Sequence, residues 1–358
     1  MKAAVVYAPG DIRVEEVDDP KPRDGYALVR VQACGVCPSD IRRFYGSAGF
    51  DPWIPGHEVS GVLADLGGDY SGPLAAGDRV VADWRVVCGR CSYCLAGHAN
   101  FCEQREEFPI AGFAEYTVVP HRALHPLPAT ISFAEASFCE PLACVLNAHR
   151  SLPARPAADV AVLGAGPIGL LHAQVALHRG ARVIAVDPLE RRRSLARELG
   201  VHDVVDPAAG DPVDQVRELT GGYGAGVVIV AVGSMTAAEQ AIAMARKGGF
   251  VNLFAGIYPP SELRIDPNVL HYGEISLTGS HDYAPTEFAE ALRLLEYRMV
   301  RAVPLITHHY PLPEIADAFA TARDQRGLKS IVHPGEAGEG AGEPGRQRRA
   351  EAGQDEHA

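Results

Sequence analysis

Residues 160–171 read V-A-V-L-G-A-G-P-I-G-L-L, an apolar run that leads into Gly164, Gly166 and Gly169. This spacing is typical of a β-strand that turns tightly into a helix, whose first N–H groups hold a pyrophosphate. The glycine pattern alone is weak evidence. The next strand-like run, however, ends in Asp187, about twenty residues after the first glycine, as a dinucleotide-binding fingerprint requires. The stretch therefore predicts a parallel sheet with a dinucleotide site.

Asp187 favours NAD over NADP, because a carboxylate accepts both adenosine ribose hydroxyls and repels a 2′-phosphate. Arg192, in the run Arg191–Arg193, argues for NADP instead, since an arginine could bind its 2′-phosphate. The alternatives are that these arginines form a solvated helix face or that they stack on the adenine of the cofactor. Ile168 and Val232 complete the set of residues expected to contact the cofactor.

The pattern of predicted secondary structure changes near residue 153. Short β-branched runs separated by glycine and proline, such as Arg79–Ala82, fill residues 1–152 and predict an antiparallel, barrel-like domain. Over residues 153–284, strand-like runs alternate with helical stretches such as 168–179, which predicts a doubly wound parallel sheet flanked by helices. Residues 285–334 are expected to return to the first domain, with amphipathic helices over about 285–297 and 312–323 and a final strand over 329–332. Residues 335–358 lack apolar periodicity and are predicted to be a disordered tail.

A cluster of cysteines, C-x2-C-x2-C-x7-C, occupies residues 88–102: Cys88, Cys91, Cys94 and Cys102. Two-residue spacers let a tight turn aim neighbouring sulfurs at one tetrahedral zinc, and four thiolates leave no open position on it. The alternatives are a disulfide knot, for which adjacent C-x2-C pairs have poor geometry, and a nucleic-acid zinc ribbon, which belongs in a basic domain. The pattern therefore predicts a structural zinc.

Charge and hydropathy narrow the expected partners and location. The net charge of −12 argues against nucleic acid as a partner. The longest apolar stretch, residues 160–177, is interrupted by glycine, proline and polar residues, so no membrane span is expected. The first apolar run is too short for a signal peptide, and the cysteines fit a reducing compartment, which predicts a cytoplasmic location.

Further candidate metal ligands lie in the first domain. Cys37 stands in A-C-G-V-C-P-S-D, His57 and Glu58 stand in P-G-H-E, and Glu140 stands in C-E-P-L-A. Taken singly, these residues are more simply a buried thiol, a core histidine and exposed carboxylates. Together they supply sulfur, nitrogen and oxygen ligands that would leave zinc a fourth position for substrate. Cys139 is a rival ligand, although it should point away from the direction of Glu140.

With these motifs the chain resembles the zinc-dependent medium-chain dehydrogenase/reductase family, in particular its sorbitol, threonine and polyol dehydrogenase branch. The resemblance covers about residues 1–334 and rests on G-V-C-P-S-D, G-H-E, the four-cysteine lobe, G-F-A-E-Y, E-P-L-A and the glycine turn. It implies a GroES-like antiparallel β-barrel catalytic domain and a Rossmann NAD-binding domain, with the active site between them. It also implies a homo-oligomer, a tetramer or a dimer.

By this resemblance, Cys37, His57 and Glu140 ligate the catalytic zinc. Glu58 is then either an exchanging neighbour of the metal or itself the carboxylate ligand, with Glu140 further out.

The resemblance also assigns a proton path. Ser39 would pass the proton of the substrate onward, and Asp40 would orient that region. Many relatives carry a histidine two residues later, where this chain has Arg42. Because an arginine stays protonated, it cannot relay a proton as a base. The proton would leave through water, or Arg42 would contact substrate or cofactor.

The sequence thus predicts an enzyme with two zinc ions per chain that uses NAD to oxidise a secondary alcohol. The expected substrate is a small hydroxylated molecule, a polyol, a cyclitol or aminocyclitol, or an amino alcohol, from sugar-alcohol or antibiotic metabolism. Several polar or aromatic residues suit such a substrate if they face the cleft rather than solvent: Arg42, Tyr45, Trp53, Arg85, His281, Asp282 and Tyr283. A zinc-free NADPH reductase of the same superfamily and a non-catalytic nucleotide-binding zinc protein are the alternatives.

Overall fold

The computed structural model describes residues 1–46, 51–106, 108–152 and 158–335. Residues 336–358 of the predicted tail lie outside the described residues, as does the predicted boundary at residue 153. The strands are β1 (Lys2–Ala8), β2 (Asp11–Glu16), β3 (Tyr26–Gly35), β4 (Glu58–Asp65), β5 (Arg79–Ala82), β6 (Tyr116–Pro120), β7 (Leu124–Pro126), β8 (Asp159–Leu163), β9 (Arg182–Val186), β10 (Asp203–Val205), β11 (Ala225–Val230), β12 (Ala245–Leu253), β13 (Ser276–Gly279), β14 (Ile306–Pro311) and β15 (Lys329–His333).

The helices connect these strands and cover the sheets. They are α1 (Pro38–Tyr45), α2 (Ser92–Leu95), α3 (Phe133–Ala136), α4 (Cys139–Ser151), α5 (Pro167–His178), α6 (Glu190–Glu198), α7 (Pro212–Leu219), α8 (Met235–Met244), α9 (Pro267–Gly273), α10 (Pro285–Glu296) and α11 (Ile315–Arg323). None of the helices in the described part of the chain is both long enough and apolar enough to span a bilayer.

A parallel six-stranded sheet in the order β10-β9-β8-β11-β12-β13 forms the second domain. Its central strands β8 and β11 are buried almost throughout, as expected for strands covered by helices on both faces. The strand order reverses between β8 and β11, so the loops after these two strands diverge and leave a crevice. This is the Rossmann arrangement, and the crevice lies at the glycine turn.

The first domain is built on a second sheet, in the order β14-β15-β3-β4-β5-β7, with β6 also paired to β3. Its pairs are antiparallel except for β14 with β15. β15 joins β3 through the pairs of Ile331 with Gly35 and Val332 with Cys34. The C-terminal segment is therefore part of the first domain. The protein has the α/β architecture of a GroES-like domain combined with a Rossmann domain.

The pairing of β3 with β4 brings the predicted ligand motifs together. Gly35, at the end of β3, lies opposite Glu58, at the start of β4. Cys37 follows β3 as the N-cap of α1, and His57 precedes β4, so both lie at the same end of the pair. Glu140 reaches this region from the first turn of α4. Residues far apart in the sequence thus meet because antiparallel strands align their opposite ends.

Two details of the C-terminal segment differ from the sequence-based expectation. Residues 306–311, I-T-H-H-Y-P, form β14, which was not predicted, and their half-buried and exposed side chains alternate as in an edge strand. The predicted helix over 312–323 begins as a 3-10 turn at Leu312–Glu314 and becomes α-helical only from Ile315. Pro313 is tolerated in this first turn, because its missing N–H would have no acceptor within the helix.

Candidate active site

Three of the predicted ligands converge in the first domain. One ligand atom each from Cys37, His57 and Glu58 lies within 4.8 Å of the other two. The Oε1 atom of Glu58 is buried without a hydrogen-bond partner among the described residues. A buried carboxylate oxygen without a donor is unfavourable unless a cation approaches it. The sulfur, nitrogen and oxygen donors fit zinc with one position left open.

Residues of α1 orient this cluster. Asp40 accepts a hydrogen bond from the N–H of Cys37 at 3.1 Å, and its Oδ1 lies 3.5 Å from Nδ1 of His57. A carboxylate behind a histidine fixes the ring and leaves its other nitrogen for a metal. Burial lowers the pKa of His57, but Asp40 and Cys37 outweigh it and raise that pKa well above its usual value. Ser39 donates from Oγ to Sγ of Cys37 at 3.1 Å.

Lys329 is a functional candidate that the sequence interpretation missed. Its ammonium forms an ion pair with Oε2 of Glu58, and both side chains are almost fully buried. Burial raises the pKa of Glu58, and the positive charge of Lys329 counteracts that shift without abolishing it. Lys329 thus pairs with one oxygen of Glu58, while the other oxygen is buried without a hydrogen-bond partner among the described residues. No local sequence signal links these residues, because β15 and β4 are brought together only by the sheet.

Glu140 is not part of the compact group. It is buried in the first turn of α4, and its Oε1 accepts a hydrogen bond from Nε1 of Trp84 at 3.1 Å. The ring of Trp84 in turn lies 5.3 Å from that of His57. The arrangement favours Glu58 over Glu140 as the nearer carboxylate. Cys139, the rival ligand, is fully buried in the hydrophobic core instead.

The four cysteines of the predicted structural site converge on one point. Ligand atoms of Cys88, Cys91, Cys94 and Cys102 all lie within 4.8 Å of one another, and every cysteine is free rather than in a disulfide. The N–H groups of Arg90 and Cys91 donate to the sulfur of Cys88. A hydrogen bond from the N–H of Cys94 contributes most to lowering the pKa of Cys91 to about 6. These donors favour the thiolate forms of Cys88 and Cys91, the form that binds zinc, whereas burial is the main cause that raises the pKa of Cys94 to about 12.

The three glycines of the turn after β8 have separate roles. Gly164 has a φ of 94°, which favours glycine. A Cβ at Gly166 would meet nothing within 4 Å, so its backbone is open to a ligand. A Cβ at Gly169 would lie 1.7 Å from the carbonyl oxygen of Gly164, so only glycine allows α5 to pack there. No side chain caps the N-terminus of α5, whose N–H groups remain available for a phosphate.

Asp187 lies at the end of β9, beside the glycine turn. Its carboxylate accepts hydrogen bonds from the N–H groups of Ala165 at 2.8 Å and Leu189 at 2.9 Å. Arg192 approaches the same carboxylate at 3.4 Å and also donates to the side chain of Gln325 at 3.2 Å. The charge of Arg192 is therefore shared between Asp187 and the first domain.

One cavity of about 2710 Å³ connects these parts and is lined by residues of both domains. It is lined by the following predicted site residues: Cys37, Ser39, Asp40, His57, Glu58, Glu140, Gly164, Gly166, Ile168, Asp187, Arg192 and Val232. Arg42 lies over the ring of Tyr258 at 4.4 Å and so spans the two domains. A dinucleotide extending from Asp187 would reach the metal-ligand cluster through this space.

Comparisons with known proteins agree with the two-domain fold. A family profile described as alcohol dehydrogenase GroES-like domain matches residues 23–129, and one described as zinc-binding dehydrogenase matches residues 167–297. The chain is 34% identical to a sorbitol dehydrogenase of Halalkalibacterium halodurans over 343 residues, 93% of this chain and 99% of that protein. It is 32% identical to an erythritol/L-threitol dehydrogenase of Mycolicibacterium smegmatis, over 88% of this chain and 92% of that one.

A solved structure shows the same fold. A protein of Sinorhizobium meliloti 1021, described as a zinc-binding dehydrogenase bound to NADP, superposes with a TM-score of 0.87 at 31% identity. The match covers 93% of this chain and 99% of that one.

Proposed function

This chain belongs to the zinc-containing alcohol dehydrogenase family, and on that premise we propose that it is a zinc-dependent, NAD-linked dehydrogenase of polyhydroxylated secondary alcohols. The reaction class, NAD(P)-linked oxidation of a CH–OH group, follows from the family. The proposal adds the metal, the choice of NAD, and a polyol, a cyclitol or aminocyclitol, or an amino alcohol as the substrate. The sorbitol and erythritol/L-threitol dehydrogenases among the relatives support a substrate with several hydroxyl groups.

The proximity of Cys37, His57 and Glu58 at one end of the interdomain cavity carries the proposal. The glycine turn and Asp187 line the same cavity, so a hydride acceptor bound there can reach an alcohol at the ligand cluster. A zinc ion bound at the cluster would lower the pKa of the substrate hydroxyl. Ser39 is close enough to the cluster to receive the hydroxyl proton, and Asp40 holds the His57 ring in place.

The preference for NAD rests on Asp187. Its buried carboxylate stands where the adenosine ribose of a dinucleotide would lie, and a 2′-phosphate there would face a like charge. Arg192 already contacts this carboxylate and Gln325, so it is not a free anion site. The relative bound to NADP marks the alternative that has to be tested.

Metal analysis of the purified protein separates the candidate functions. Two zinc ions per chain support the proposal. One ion would indicate zinc at the four-cysteine lobe alone, and none would favour a zinc-free reductase. Screening sugar alcohols, cyclitols and amino alcohols with NAD and NADP, by the absorbance of the reduced cofactor, then identifies the substrate class.

Cys37→Ser tests the ligand cluster directly. The variant should retain one zinc per chain instead of two and lose turnover, because a serine hydroxyl is a poor zinc ligand. Its dissociation constant for NAD, measured by calorimetry, should stay close to that of the wild type.

Cys139→Ser is the matched control, since this neighbouring thiol lies in the core and should leave both zinc ions in place. Full turnover by Cys37→Ser would remove Cys37 from the catalytic site.

A further inference from the structure

We infer that Arg85 and Asp282 form a substrate-recognition pair that selects alcohols with additional hydroxyl groups beyond the reacting carbon. The inference rests on the proposed function and names the residues that would set its specificity. Nη2 of Arg85 lies 2.6 Å from Oδ2 of Asp282, and both side chains are at least nine-tenths buried. Both residues line the cavity that also contains Cys37 and Ser39.

A single aromatic ring lies between this pair and the ligand cluster. The guanidinium of Arg85 lies 3.4 Å from the ring centroid of Trp84. That ring also approaches His57 and donates to Glu140. A substrate whose reacting hydroxyl lies at the cluster would therefore extend along Trp84 towards Arg85 and Asp282.

The fold holds both members of the pair in place. Oδ1 of Asp83 accepts hydrogen bonds from the N–H of Arg85 at 2.8 Å and from the hydroxyl of Tyr283 at 3.0 Å. Nδ2 of Asn147 donates to the carbonyl oxygens of His281 and Asp282. These contacts fix the backbone on both sides of the ion pair.

Asp282 itself has a φ of 63°, in the left-handed region. This region is uncommon for residues other than glycine, although aspartate tolerates it better than most, so the surrounding contacts hold the backbone there. A carboxylate held this firmly is suited to positioning a ligand.

The unused hydrogen-bonding capacity of the pair indicates the chemistry of its ligand. Nε of Arg85 and Oδ1 of Asp282 are buried and have no hydrogen-bond partner among the described residues. A hydroxyl group both donates and accepts, so it can bridge an N–H donor and a carboxylate acceptor. Leaving such groups unsatisfied is unfavourable, which gives a hydroxylated substrate an advantage over a plain alcohol.

The charges favour a neutral substrate over an acid. The charges of Arg85 and Asp282 cancel, and an anionic group would face both Asp282 and Glu140. Nη1 of Arg105 lies 3.6 Å from Oδ2 of Asp282. The side chain of Arg105 is about one-third exposed, so solvent partly screens its positive charge. Vicinal hydroxyls on a chain or ring are therefore the expected ligands.

A purely structural role is the competing explanation. Arg85 follows β5 of the first domain and Asp282 follows β13 of the second, so the pair also joins the domains. Breaking a buried ion pair destabilises a protein whether or not it contacts substrate. The test therefore needs a comparison between substrates as well as a measure of stability.

The experiment compares Arg85→Met and Asp282→Asn with the wild type on matched alcohols, with NAD as oxidant. The probes are myo-inositol with cyclohexanol, and sorbitol with 2-hexanol; D-gluconate represents acids. The wild type should prefer each polyol to its matched mono-alcohol. In both variants the ratio of the two kcat/KM values should fall about 10- to 100-fold, as expected for lost hydrogen bonds to charged groups. Sorbitol should also raise the unfolding temperature of the wild-type complex with NADH, and not that of Asp282→Asn.

Arg298→Met is the matched control. Arg298 forms an ion pair with Glu135 outside the cavity, so its loss should lower stability and leave the substrate ratio unchanged. If the single variants do not fold, the double variant Arg85→Met/Asp282→Asn removes both charges together and should show the same fall. Equal loss with polyols and mono-alcohols would overturn the inference, and so would a wild-type preference for gluconate. A wild type that oxidises none of these or other alcohols contradicts the proposed function itself.

Discussion

Glu58 is a buried carboxylate that pairs with a lysine and lies beside two candidate metal ligands. Lys329 pairs with its Oε2, and one of the carboxylate oxygens lies within 4.8 Å of ligand atoms of Cys37 and His57. Gly35 makes this approach possible, because a Cβ there would overlap Oε2 of Glu58. Burial raises the pKa of this carboxyl group, and the positive charge of Lys329 lowers it by a smaller effect. The same charge would compete with a metal for the carboxylate. A zinc ion bound at the cluster would share this carboxylate with Lys329.

Asp187 allows a test of cofactor choice. Asp187→Ser should lower kcat/KM with NAD more than with NADP, because the ribose hydroxyls lose a charged acceptor and the repulsion of a 2′-phosphate disappears. The NAD/NADP ratio should fall about 10- to 100-fold, since hydrogen bonds to a charged group contribute about 1.5–3 kcal/mol. Initial rates with each cofactor at one fixed alcohol concentration measure the ratio.

Asp206→Asn is the control for this prediction. Asp206 pairs with the buried Arg193 close to Asp187 but does not line the cavity. Its replacement should affect stability and leave the cofactor ratio as it is. An unchanged ratio in Asp187→Ser would remove the specificity role of this carboxylate.

At the scale of elements, the four-cysteine lobe is attached to two parts of the molecule. Nη1 of Arg150, at the end of α4, donates to the carbonyl oxygen of Gly97. Nδ2 of Asn100 donates to the carbonyl oxygen of His281 at 3.2 Å, next to Asp282. The lobe has little buried apolar surface of its own, with Leu95 mostly exposed, so we expect its shape to depend on a metal bound by the four cysteines.

Cys94→Ser should therefore unfold the lobe and lower the unfolding temperature. We expect a loss of more than about 3 kcal/mol, beyond the usual range for point substitutions, because a metal ligand is removed. Calorimetric unfolding measures this loss, and zinc analysis should show one ion fewer. Leu95→Ser, in the same lobe and without a ligand role, should change neither value. A Cys94→Ser protein with wild-type stability would show that zinc does not support this lobe.

The sequence predicted many elements closely because their signals are local. The strand expected at Arg79–Ala82 has those bounds, and the helix expected at 168–179 is α5, Pro167–His178. The glycine turn could be recognised because each glycine has a steric reason within the same βα unit. The ion pairs of Lys329 with Glu58 and of Arg85 with Asp282 could not, because their partners meet only through sheet pairing and domain packing. The edge strand β14 was missed for a similar reason. Its sequence, I-T-H-H-Y-P, alternates only weakly between apolar and polar residues, and the strand is defined by its pairing with β15.

At the scale of the whole molecule, a buried histidine pair helps to join the two domains. Nε2 of His149, on α4, lies 3.1 Å from Nδ1 of His172, on α5. Burial, with a smaller contribution from Arg179, lowers the pKa of His149 to about 3. Burial also lowers the pKa of His172 well below its usual value, and His149 adds to the effect. Both rings are therefore neutral in the folded protein at neutral pH.

This pair predicts a loss of stability in mild acid. In the unfolded chain each histidine binds a proton near its usual pKa of about 6.5, whereas in the folded protein it does not until the pH is far lower. The unfolded state is thus favoured as the pH falls below about 6.5, by up to about 1.4 kcal/mol per pH unit for each histidine.

Denaturant unfolding of the wild type between about pH 7 and about pH 5 should show this decline. The double variant His149→Gln/His172→Gln, which has no group to titrate there, should show a flatter profile even if it is less stable at neutral pH. His178→Gln is the matched control, because His178 lies on the same helix but is exposed, and it should retain the wild-type slope. An equally steep decline in the double variant would show that other groups govern the acid response. A flatter profile would show that the contact between α4 of the first domain and α5 of the second domain causes the loss of stability in acid.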